Sequence, residues 1–530
     1  MTAVDEPGIR LVVGVPGGDA VSGKYAPRTS NTTLAFSEFT MAIRTIIERS
    51  AFAGARLGIA VHDVADGSAI YECNAHQIFP GASTTKIPAS AYALALLGPD
   101  FRFRTRIVRC GTLDDGGTLH GDIILVASGD PNLSGRITPH DTLEFQDWDH
   151  GYAGAKARLV ERNPLQIIEK FARGVRDAGI RRVTGTALVD IHLFGEGHRE
   201  PGIFTTMISP IAVNDNQIDL EVTAGTRAGD PLSYRLSPPC GYVKFIDRAT
   251  TGSSDSDPAL RFSREQCELD GTRSVIITGT VPAGTTSMAT IEVEKPSRFA
   301  RTLLVEMLAA TGVVVEGGLF GPDVTAQATS ADAETIAEHV SPPLVEATKI
   351  VLKVSQNLHA EMLIPLISAT LRGARGADAV SAGYACGADL LARWGIDTTG
   401  AFQADACGLY VYFSPDFMCR LLVRIAASDV YDAVRFGLPV MGRDGTLWDI
   451  QPQSRAAGHV AAKTGTISFD SRLHDTVLFA CKGLAGYVTA KSGRRIAFTL
   501  YLNNFHCARS PSINPGQALG ELAGAIYEHL

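Results

Sequence analysis

Three short motifs, far apart in the chain, carry the residue types that acyl transfer requires. Ser83 and Lys86 form an S-x-x-K motif, Ser355 and Asn357 form S-x-N, and Lys463 begins K-T-G-T. In this order the motifs supply a hydroxyl nucleophile, an amine base, a proton relay and an anion-binding strand. They therefore predict a serine hydrolase that works through an acyl-enzyme.

The S-x-x-K motif predicts the nucleophile and its base. On a helix, positions i and i+3 share a face, so the Lys86 amine would lie beside the Ser83 hydroxyl. A helix N-terminus favours developing negative charge, and burial lowers the pKa of a lysine so that it can accept a proton. Taken alone, the motif also fits an N-cap serine followed by a solvated lysine.

The S-x-N motif precedes an apolar, helical stretch, so a turn there could direct both side chains into a cleft. Ser355 would pass a proton to the leaving group, and the Asn357 amide would hold Lys86 or the substrate's peptide group. A simple helix cap is the alternative, and the motif in isolation favours that alternative.

The K-T-G-T motif predicts a strand in which Gly465 lets a substrate approach the backbone closely. Lys463 would add positive potential, and the hydroxyls of Thr464 and Thr466 would bind a terminal carboxylate. The N–H of Thr466, together with that of Ser83, would form an oxyanion hole. A polar edge strand is the alternative, although this motif is the most specific of the three.

The elements that must position these motifs point to one sheet built from both ends of the chain. Residues 57–64 and 68–72 are typical of a β-hairpin, as are residues 483–488 and 496–502. An apolar helix, residues 87–97, follows Ser83, and another helix follows residue 514. We therefore predict an antiparallel sheet flanked by helices.

The spacing of the motifs predicts an interrupted domain. About 270 residues separate Ser83 from Ser355, whereas only about 110 separate Ser355 from Lys463. Residues 112–340 are rich in strand and turn patterns and are interpreted as inserted material. The catalytic domain would then comprise residues 36–111 and 341–530, preceded by a flexible N-terminal arm of residues 1–35 that is rich in Gly, Pro, Ser and Thr.

The composition is that of an ordinary globular protein with more than one packed unit. The chain has 530 residues, 45% hydrophobic and 20% charged, with a net charge of -8. The acidic balance and the lack of a basic run argue against a nucleic acid or an anionic membrane as the main partner. No apolar stretch is long enough to span a bilayer, and the acidic N-terminus does not read as a secretory signal.

The sequence offers no metal or cofactor motif. Nine cysteines, an odd number with no C-x-x-C pair, predict neither a disulfide framework nor a zinc site. His359 and Glu361 lack the H-E-x-x-H spacing of a zinc protease and are expected to lie on a helix surface or in the core. The acidic loop from His140 to His150 could meet a cationic peptide end, but it is interpreted as a solvated surface loop.

With these motifs in this order, the chain resembles the penicillin-recognising serine peptidases of the S13 type. These are the low-molecular-mass class C penicillin-binding proteins, or D-alanyl-D-alanine carboxypeptidase/endopeptidases. The resemblance extends from about Leu57 to Asn504. It includes strings outside the three motifs, at residues 121–131, 213–216, 341–344, 438–447, 484–488 and 503–504.

The resemblance implies a transpeptidase-like α/β (α+β) domain, split after the nucleophile helix by two inserted, mostly β domains. It implies cleavage of the terminal D-Ala, or of D,D cross-links, in peptidoglycan stem peptides through an acyl-enzyme on Ser83. β-Lactams would acylate the same serine. No metal or organic cofactor is implied, and the expected location is periplasmic or extracellular.

Three departures from the family pattern concern the surroundings of the site. Gln356 replaces the usual Asp of S-x-N, and the pattern D-G-S-G-L-S is altered to D-A-C-G-L-Y at residues 405–410. Residues 468–482 form an insertion that could cover or reshape the acyl pocket. A β-lactamase, an esterase, a D-amino-acid amidase and a catalytically silent binding module remain alternatives. The oligomeric state and the balance of carboxypeptidase and endopeptidase action stay open.

Overall fold

A computed structural model describes residues 30–49, 52, 54–154, 156–198, 207–267, 273–317, 333–376, 378–508 and 514–530. The chain divides into two compact units. The first comprises Met1–Leu96, Val351–Ser355 and Gly387–Leu530, and the second Leu97–Ile350 and Gln356–Cys386. The predicted domains, 36–111 with 341–530 and 112–340, stay a prediction. Residues 1–29 of the predicted arm lie outside the described residues, and a helix begins at Ser30.

The helices of the described residues are α1 Ser30–Ile47, α2 Lys86–Leu97, α3 Gln166–Asp177, α4 Pro296–Ala310, α5 Leu344–Lys353, α6 Asn357–Arg372, α7 Asp378–Arg393, α8 Pro415–Ala426, α9 Tyr431–Gly437 and α10 Pro515–His529. The strands are β1 Arg56–Asp63, β2 Ala69–Cys73, β3 Phe79–Pro80, β4 Arg104–Leu113, β5 Thr118–Val126, β6 Arg182–Val183, β7 Ala187–Asp190, β8 Gly197–His198, β9 Met207–Ile208, β10 Gln217–Thr223, β11 Ser233–Ser237, β12 Lys244–Gly252, β13 Arg261–Phe262, β14 Gln266–Cys267, β15 Arg273–Pro282, β16 Thr286–Glu292, β17 Val314–Val315, β18 Glu334–Val340, β19 Ala401–Gln403, β20 Val411–Phe413, β21 Val460–Asp470, β22 Thr476–Thr489, β23 Arg495–Asn503 and β24 Phe505–Ala508.

The first unit is built on an antiparallel sheet that joins the two ends of the chain. Its strand order is β2-β1-β23-β22-β21, with β24 paired to β22. Side chains alternate across β23, so Phe498 and Leu500 face a core shared with α1 and α10, whereas Thr499 faces α8 through Cys419. The predicted sheet flanked by helices, assembled from an N-terminal and a C-terminal hairpin, is confirmed.

The helix that follows Ser83 is unusually buried. Most residues of α2, including Lys86 and Pro88, are inaccessible to solvent. Pro88 lies in the first turn, where a missing backbone N–H removes no helical hydrogen bond. Ser83 itself belongs to a 3-10 turn, Ala82–Thr85, that leads directly into α2. The turn and the helix therefore form one continuous, rigid support for the motif.

The second unit contains sheets formed by β4–β18 and the helices α3 and α4. A six-stranded sheet has the order β17-β6-β5-β4-β18 with β7 paired to β5, and smaller sheets have the orders β11-β10-β16 and β12-β15-β13. A large apolar core includes residues of α3, α4, β5 and β15. The expectation of a solvated loop at residues 140–150 is wrong at its end, because Asp149 and His150 are buried.

The insertion at residues 468–482 continues the sheet of the first unit. It lengthens β21 and β22, which remain paired from Val460↔Val488 to Asp470↔Val477, with a bulge after Ile467. The first four residues of β22, Thr476 to Phe479, also pair with β24. The extra residues therefore form a longer hairpin in the sheet. All nine cysteines are free thiols, and within the described ranges no helix is long and apolar enough to cross a membrane.

Candidate active site

The amine of Lys86 lies beside the hydroxyl of Ser83 in a buried position. Lys86 Nζ donates a hydrogen bond to Ser83 Oγ at 2.8 Å and another to the carbonyl oxygen of Cys407 at 3.2 Å. Ser83 Oγ donates to the same carbonyl at 3.3 Å. Lys86 is fully inaccessible to solvent. The backbone carbonyl of Cys407 thus orients both members of the pair.

Burial lowers the pKa of both motif lysines, Lys86 and Lys463. It lowers the pKa of Lys86 to about 8, against the opposing effect of Cys407 and Asp405. Burial also brings the pKa of Lys463 well below its usual range, helped by the positive charges of Lys86 and Lys482. A neutral Lys86 amine is therefore accessible near physiological pH, which is what a general base for Ser83 requires.

The loop that presents the Cys407 carbonyl is held by one carboxylate. Asp405 accepts hydrogen bonds from three backbone N–H groups: Gly408, Leu409 and Tyr410. Gly408 has φ +102°, and a Cβ on it would lie 1.9 Å from the carbonyl oxygen of Ala82. Asp405, Gly408 and Leu409 are the residues that the altered family pattern keeps. The substitution at Cys407 leaves intact the carbonyl that contacts Ser83.

The K-T-G-T strand packs directly against the turn that carries the serine. A Cβ added to Gly465 would lie 2.9 Å from the carbonyl oxygen of Gly81 and 3.3 Å from the backbone nitrogen of Ser83. Only a glycine permits this approach without displacing the turn. Sequence reasoning assigned the glycine to substrate approach. In the structure its nearest neighbours are residues 81–83, the turn that carries Ser83.

The polar side chains of the strand have partners that the sequence did not suggest. Lys463 Nζ donates to the carbonyl of Thr464 at 2.9 Å, and Thr464 Oγ1 donates to Thr446 Oγ1 at 2.8 Å. Thr466 Oγ1 accepts from Lys482 Nζ at 2.9 Å. Lys482 stands opposite Thr466 in the β21–β22 register. Pairing β21 with β22 residue by residue in the sequence would have placed Lys482 beside Thr466.

Ser355 has a strained backbone that its neighbours support. Its φ is +60°, a conformation that raises the energy of a non-glycine residue by roughly 1–3 kcal/mol. Two residues earlier, Lys353 donates to both carboxylate oxygens of Asp444, each at 2.7 Å. A Cβ on Gly445 would lie 2.6 Å from the carbonyl oxygen of Lys353. Residues 444–446 therefore connect Lys353, two residues before Ser355, with Thr464 of the K-T-G-T strand.

The rest of the S-x-N motif belongs to the second unit. Asn357 is the first residue of α6, and Gln356 caps this helix by accepting a hydrogen bond from the Leu358 N–H at 3.1 Å. The Gln356 amide also donates to Asp215 Oδ2 at 3.1 Å. The residue that departs from the family pattern thus has a capping role and a buried partner. The catalytic role of Asn357 stays a prediction.

Asp215 is the centre of a buried ionic cluster that sequence reasoning missed. Besides Gln356, it binds Arg136 at 2.8 Å, His150 at 2.9 Å and His359 at 2.9 Å. Burial raises the pKa of the Asp215 carboxyl, but Arg136 and His359 outweigh it and bring the pKa well below the usual value. The only sequence signal was the polar string at residues 213–216.

The sequence matches the D-Ala-D-Ala carboxypeptidase 3 (S13) family over residues 39–520. The chain belongs to this family. It is similar to the D-alanyl-D-alanine carboxypeptidase of Actinomadura sp. strain R39, with 28% identity over 88% of this chain and 81% of that protein. It is also similar to D-alanyl-D-alanine carboxypeptidase DacB of Haemophilus influenzae, with 20% identity over 90% of this chain and 91% of the relative.

The fold agrees with the family assignment. The crystal structure of penicillin binding protein 4 (dacB) from Haemophilus influenzae superposes with a TM-score of 0.67 at 18% identity, over 93% of this chain and 98% of that one. The predicted S13 membership and the transpeptidase-like fold class are confirmed. This S13 protein is a serine-type D,D-peptidase.

Proposed function

We propose that this S13 peptidase cleaves the D-Ala-D-Ala bond of peptidoglycan stem peptides, with Ser83 as the nucleophile. The observation that carries the proposal is the buried Lys86 amine, 2.8 Å from Ser83 Oγ. Lys86 takes the hydroxyl proton as Ser83 Oγ attacks the carbonyl carbon of the penultimate D-Ala. The backbone N–H groups of Ser83 and Thr466 stabilise the oxyanion that forms.

Collapse of the tetrahedral intermediate breaks the C–N bond and releases the terminal residue. The leaving amine receives its proton through the Ser355 hydroxyl, while the Asn357 amide holds the substrate's peptide group. Water then hydrolyses the ester on Ser83 and regenerates the hydroxyl. Lys463 adds positive potential to the site, and its lowered pKa limits its charge until an anionic substrate arrives.

The terminal carboxylate of the substrate would bind at the K-T-G-T strand. The hydroxyls of Thr464 and Thr466 can donate to it, and Gly465 keeps the strand close to the Ser83 turn. Lys482, which already contacts Thr466, supplies a cation to this end of the site. A β-lactam carries both an acylating amide and a carboxylate, so we expect it to react at Ser83. Because its substrate is part of the cell wall, the protein would act in a periplasmic or extracellular location.

Labelling with a fluorescent penicillin tests the nucleophile. Wild-type protein should become labelled, whereas Ser83→Ala should not. Ser90→Ala is the matched control, because Ser90 is a buried serine of α2, the helix that follows the Ser83 turn, and its loss should not affect labelling. Persistent labelling of Ser83→Ala would rule out the assignment.

Product analysis tests the substrate. D-Ala release from a stem pentapeptide is expected to exceed turnover of nitrocefin. Faster nitrocefin turnover would favour a β-lactamase, and release only from esters or D-amino-acid amides would favour those hydrolases. Absence of any acylation across a range of pH would indicate a silent binding module.

A further inference from the structure

Four side chains with metal-binding groups converge where the β1–β2 hairpin meets the start of α8. His62 lies on β1, Glu72 on β2, His76 in the segment after β2, and Asp416 in the first turn of α8. None of them contributes to the group around Ser83. Their convergence therefore requires a separate explanation.

His62 is buried without the hydrogen bonds that a buried imidazole requires. It is 3% exposed, and neither ring nitrogen has a hydrogen-bond partner among the described residues. Nε2 lies 3.7 Å from Glu72 Oε1 and 3.9 Å from Asp416 Oδ1, which is too long for hydrogen bonds. The imidazole thus faces two carboxylates without a hydrogen bond to either.

The distances between these nitrogen and oxygen atoms are close to those in a metal site. The nitrogen of His62 and one oxygen each of Glu72 and Asp416 lie within 4.8 Å of one another. His76 Nδ1 is 3.6 Å from Asp416 Oδ2, and His76 Nε2 is 4.0 Å from Glu72 Oε2. Two ligands of a tetrahedral Zn²⁺ are about 3.4 Å apart. The four histidine–carboxylate separations exceed this value by only about 0.2 to 0.6 Å, with each histidine facing a different oxygen of the two carboxylates.

The surroundings of Asp416 resemble the supporting contacts of a metal ligand. Arg420 Nε donates to Asp416 Oδ2 at 2.8 Å, leaving Oδ1 directed towards His62. The Asp416 N–H donates to the carbonyl of Ala75 at 3.0 Å, which fixes the start of α8 to the segment that carries His76. Carboxylates that bind metals are usually held by hydrogen bonds of this kind.

We propose that His62, Glu72 and Asp416 bind a Zn²⁺ ion, with His76 as the fourth ligand at the exposed side. Imidazole nitrogens combined with carboxylates suit zinc, whereas Mg²⁺ and Ca²⁺ prefer oxygen ligands alone. The ion would tie the β1–β2 hairpin to α8 and has no part in acyl transfer. This site departs from the expectation of a metal-free protein. The sequence could not predict it, because its ligands are spread from residue 62 to residue 416 and form no sequence motif.

Zinc titration of the 530-residue chain tests the proposal. After treatment with EDTA and dialysis, the protein should bind one Zn²⁺ per chain in a calorimetric titration, and its Tm should rise on addition of Zn²⁺. His76→Ala and Glu72→Gln should each weaken Zn²⁺ affinity by about tenfold or more. His76 is largely exposed and Glu72→Gln is nearly isosteric, so both variants should fold, which circular dichroism checks.

His120→Ala is the matched control. His120 is an exposed histidine that contacts a single carboxylate, Asp114, at 3.1 Å. Its removal should leave both the affinity for Zn²⁺ and the zinc-dependent rise in Tm unchanged. Failure of the wild-type protein to bind one equivalent of Zn²⁺ would overturn the proposal. So would folded His76→Ala and Glu72→Gln variants that bind Zn²⁺ as tightly as wild type.

Discussion

The ammonium of Lys353 contacts both carboxylate oxygens of Asp444 at 2.7 Å, two residues before the strained Ser355. Asp444 also accepts a hydrogen bond from the N–H of Val440 at 2.8 Å. Two residues after Asp444, Thr446 binds the hydroxyl of Thr464. A single short segment therefore links the S-x-N serine to the K-T-G-T strand within the first unit.

We expect Lys353→Met to slow acylation without abolishing it. The variant leaves Asp444 without its cation and releases the segment before Ser355. Misplacement of a catalytic group by about 1 Å can reduce a rate by about 100-fold. The acylation rate with a fluorescent penicillin should fall by about 10- to 100-fold, while the final stoichiometry remains one label per chain. Lys491→Met is the control, because Lys491 pairs at the surface with Glu528 at 3.4 Å. Equal effects of the two changes would contradict the positioning role.

The acylation rate should depend on pH through Lys86. Its pKa is lowered to about 8, and only the neutral amine can accept the Ser83 proton. The rate should therefore rise by about tenfold per unit as the pH increases towards 8 and level off above it. Asp405 raises the pKa of Lys86, so Asp405→Asn should move the midpoint to lower pH. Stopped-flow acylation between pH 5.5 and 9.5 measures both curves. A flat wild-type profile would exclude Lys86 as the titrating base.

Local spacing explains which parts of the site were predictable. Ser83 and Lys86 are three residues apart, so any helical turn brings them together, and the structure has them in hydrogen-bond contact. The sheet was predictable because four of its strands, β1 with β2 and β22 with β23, come from two hairpins with clear turns, and β1 then pairs with β23. The S-x-x-K spacing and the two hairpin turns are each patterns of a few neighbouring residues, so the sequence shows them directly.

The remaining contacts depend on tertiary packing that leaves no local pattern. The Cys407 carbonyl contacts Ser83, but every residue has a backbone carbonyl, so the sequence cannot mark this one. Asp215 meets Gln356 across 141 residues, and Lys353 meets Asp444 across 91. Residue type alone did not predict which of these polar side chains would meet.

Lys482→Met should weaken recognition of a free carboxylate. Lys482 contacts Thr466, where the substrate's terminal carboxylate is proposed to bind. For a peptide ending in a free carboxylate, KM should rise by about tenfold, which corresponds to about 1.4 kcal/mol. KM for the same peptide with a terminal carboxamide should change little. Steady-state assays with both peptides give the comparison. A similar rise for both peptides would indicate general damage to the site.

Gly408→Ala should disrupt the loop that presents the Cys407 carbonyl. Gly408 has φ +102°, and a Cβ there would lie 1.9 Å from the Ala82 carbonyl oxygen, so the backbone must move. The variant should lose most penicillin acylation and unfold at a lower temperature. Gly493→Ala is the control, with φ +86° but no atom within 4 Å of the added Cβ, so only the conformational strain of about 1 kcal/mol applies. Normal acylation by Gly408→Ala would contradict the assigned role.

The ionic cluster around Asp215 should stabilise the protein over a defined range of pH. The lowered pKa of Asp215 gives a contribution that is present above its unfolded pKa of about 3.9 and is lost as pH falls through the folded value. For His150, burial opposes the charged form, but Asp219 and Asp149 raise its pKa well above the ordinary value. The His150 contribution is therefore complete below about pH 6.5 and is lost as pH rises through the folded pKa.

The difference in Tm between wild type and Asp215→Asn should consequently be largest between about pH 4 and 6.5 and should shrink in both directions. Thermal unfolding followed by circular dichroism from pH 3 to 10 measures it. Asp114→Asn, which alters the exposed pair with His120, provides the control and should give a small difference throughout. A difference for Asp215→Asn that does not vary with pH would mean that packing, and not charge, accounts for the contribution of Asp215.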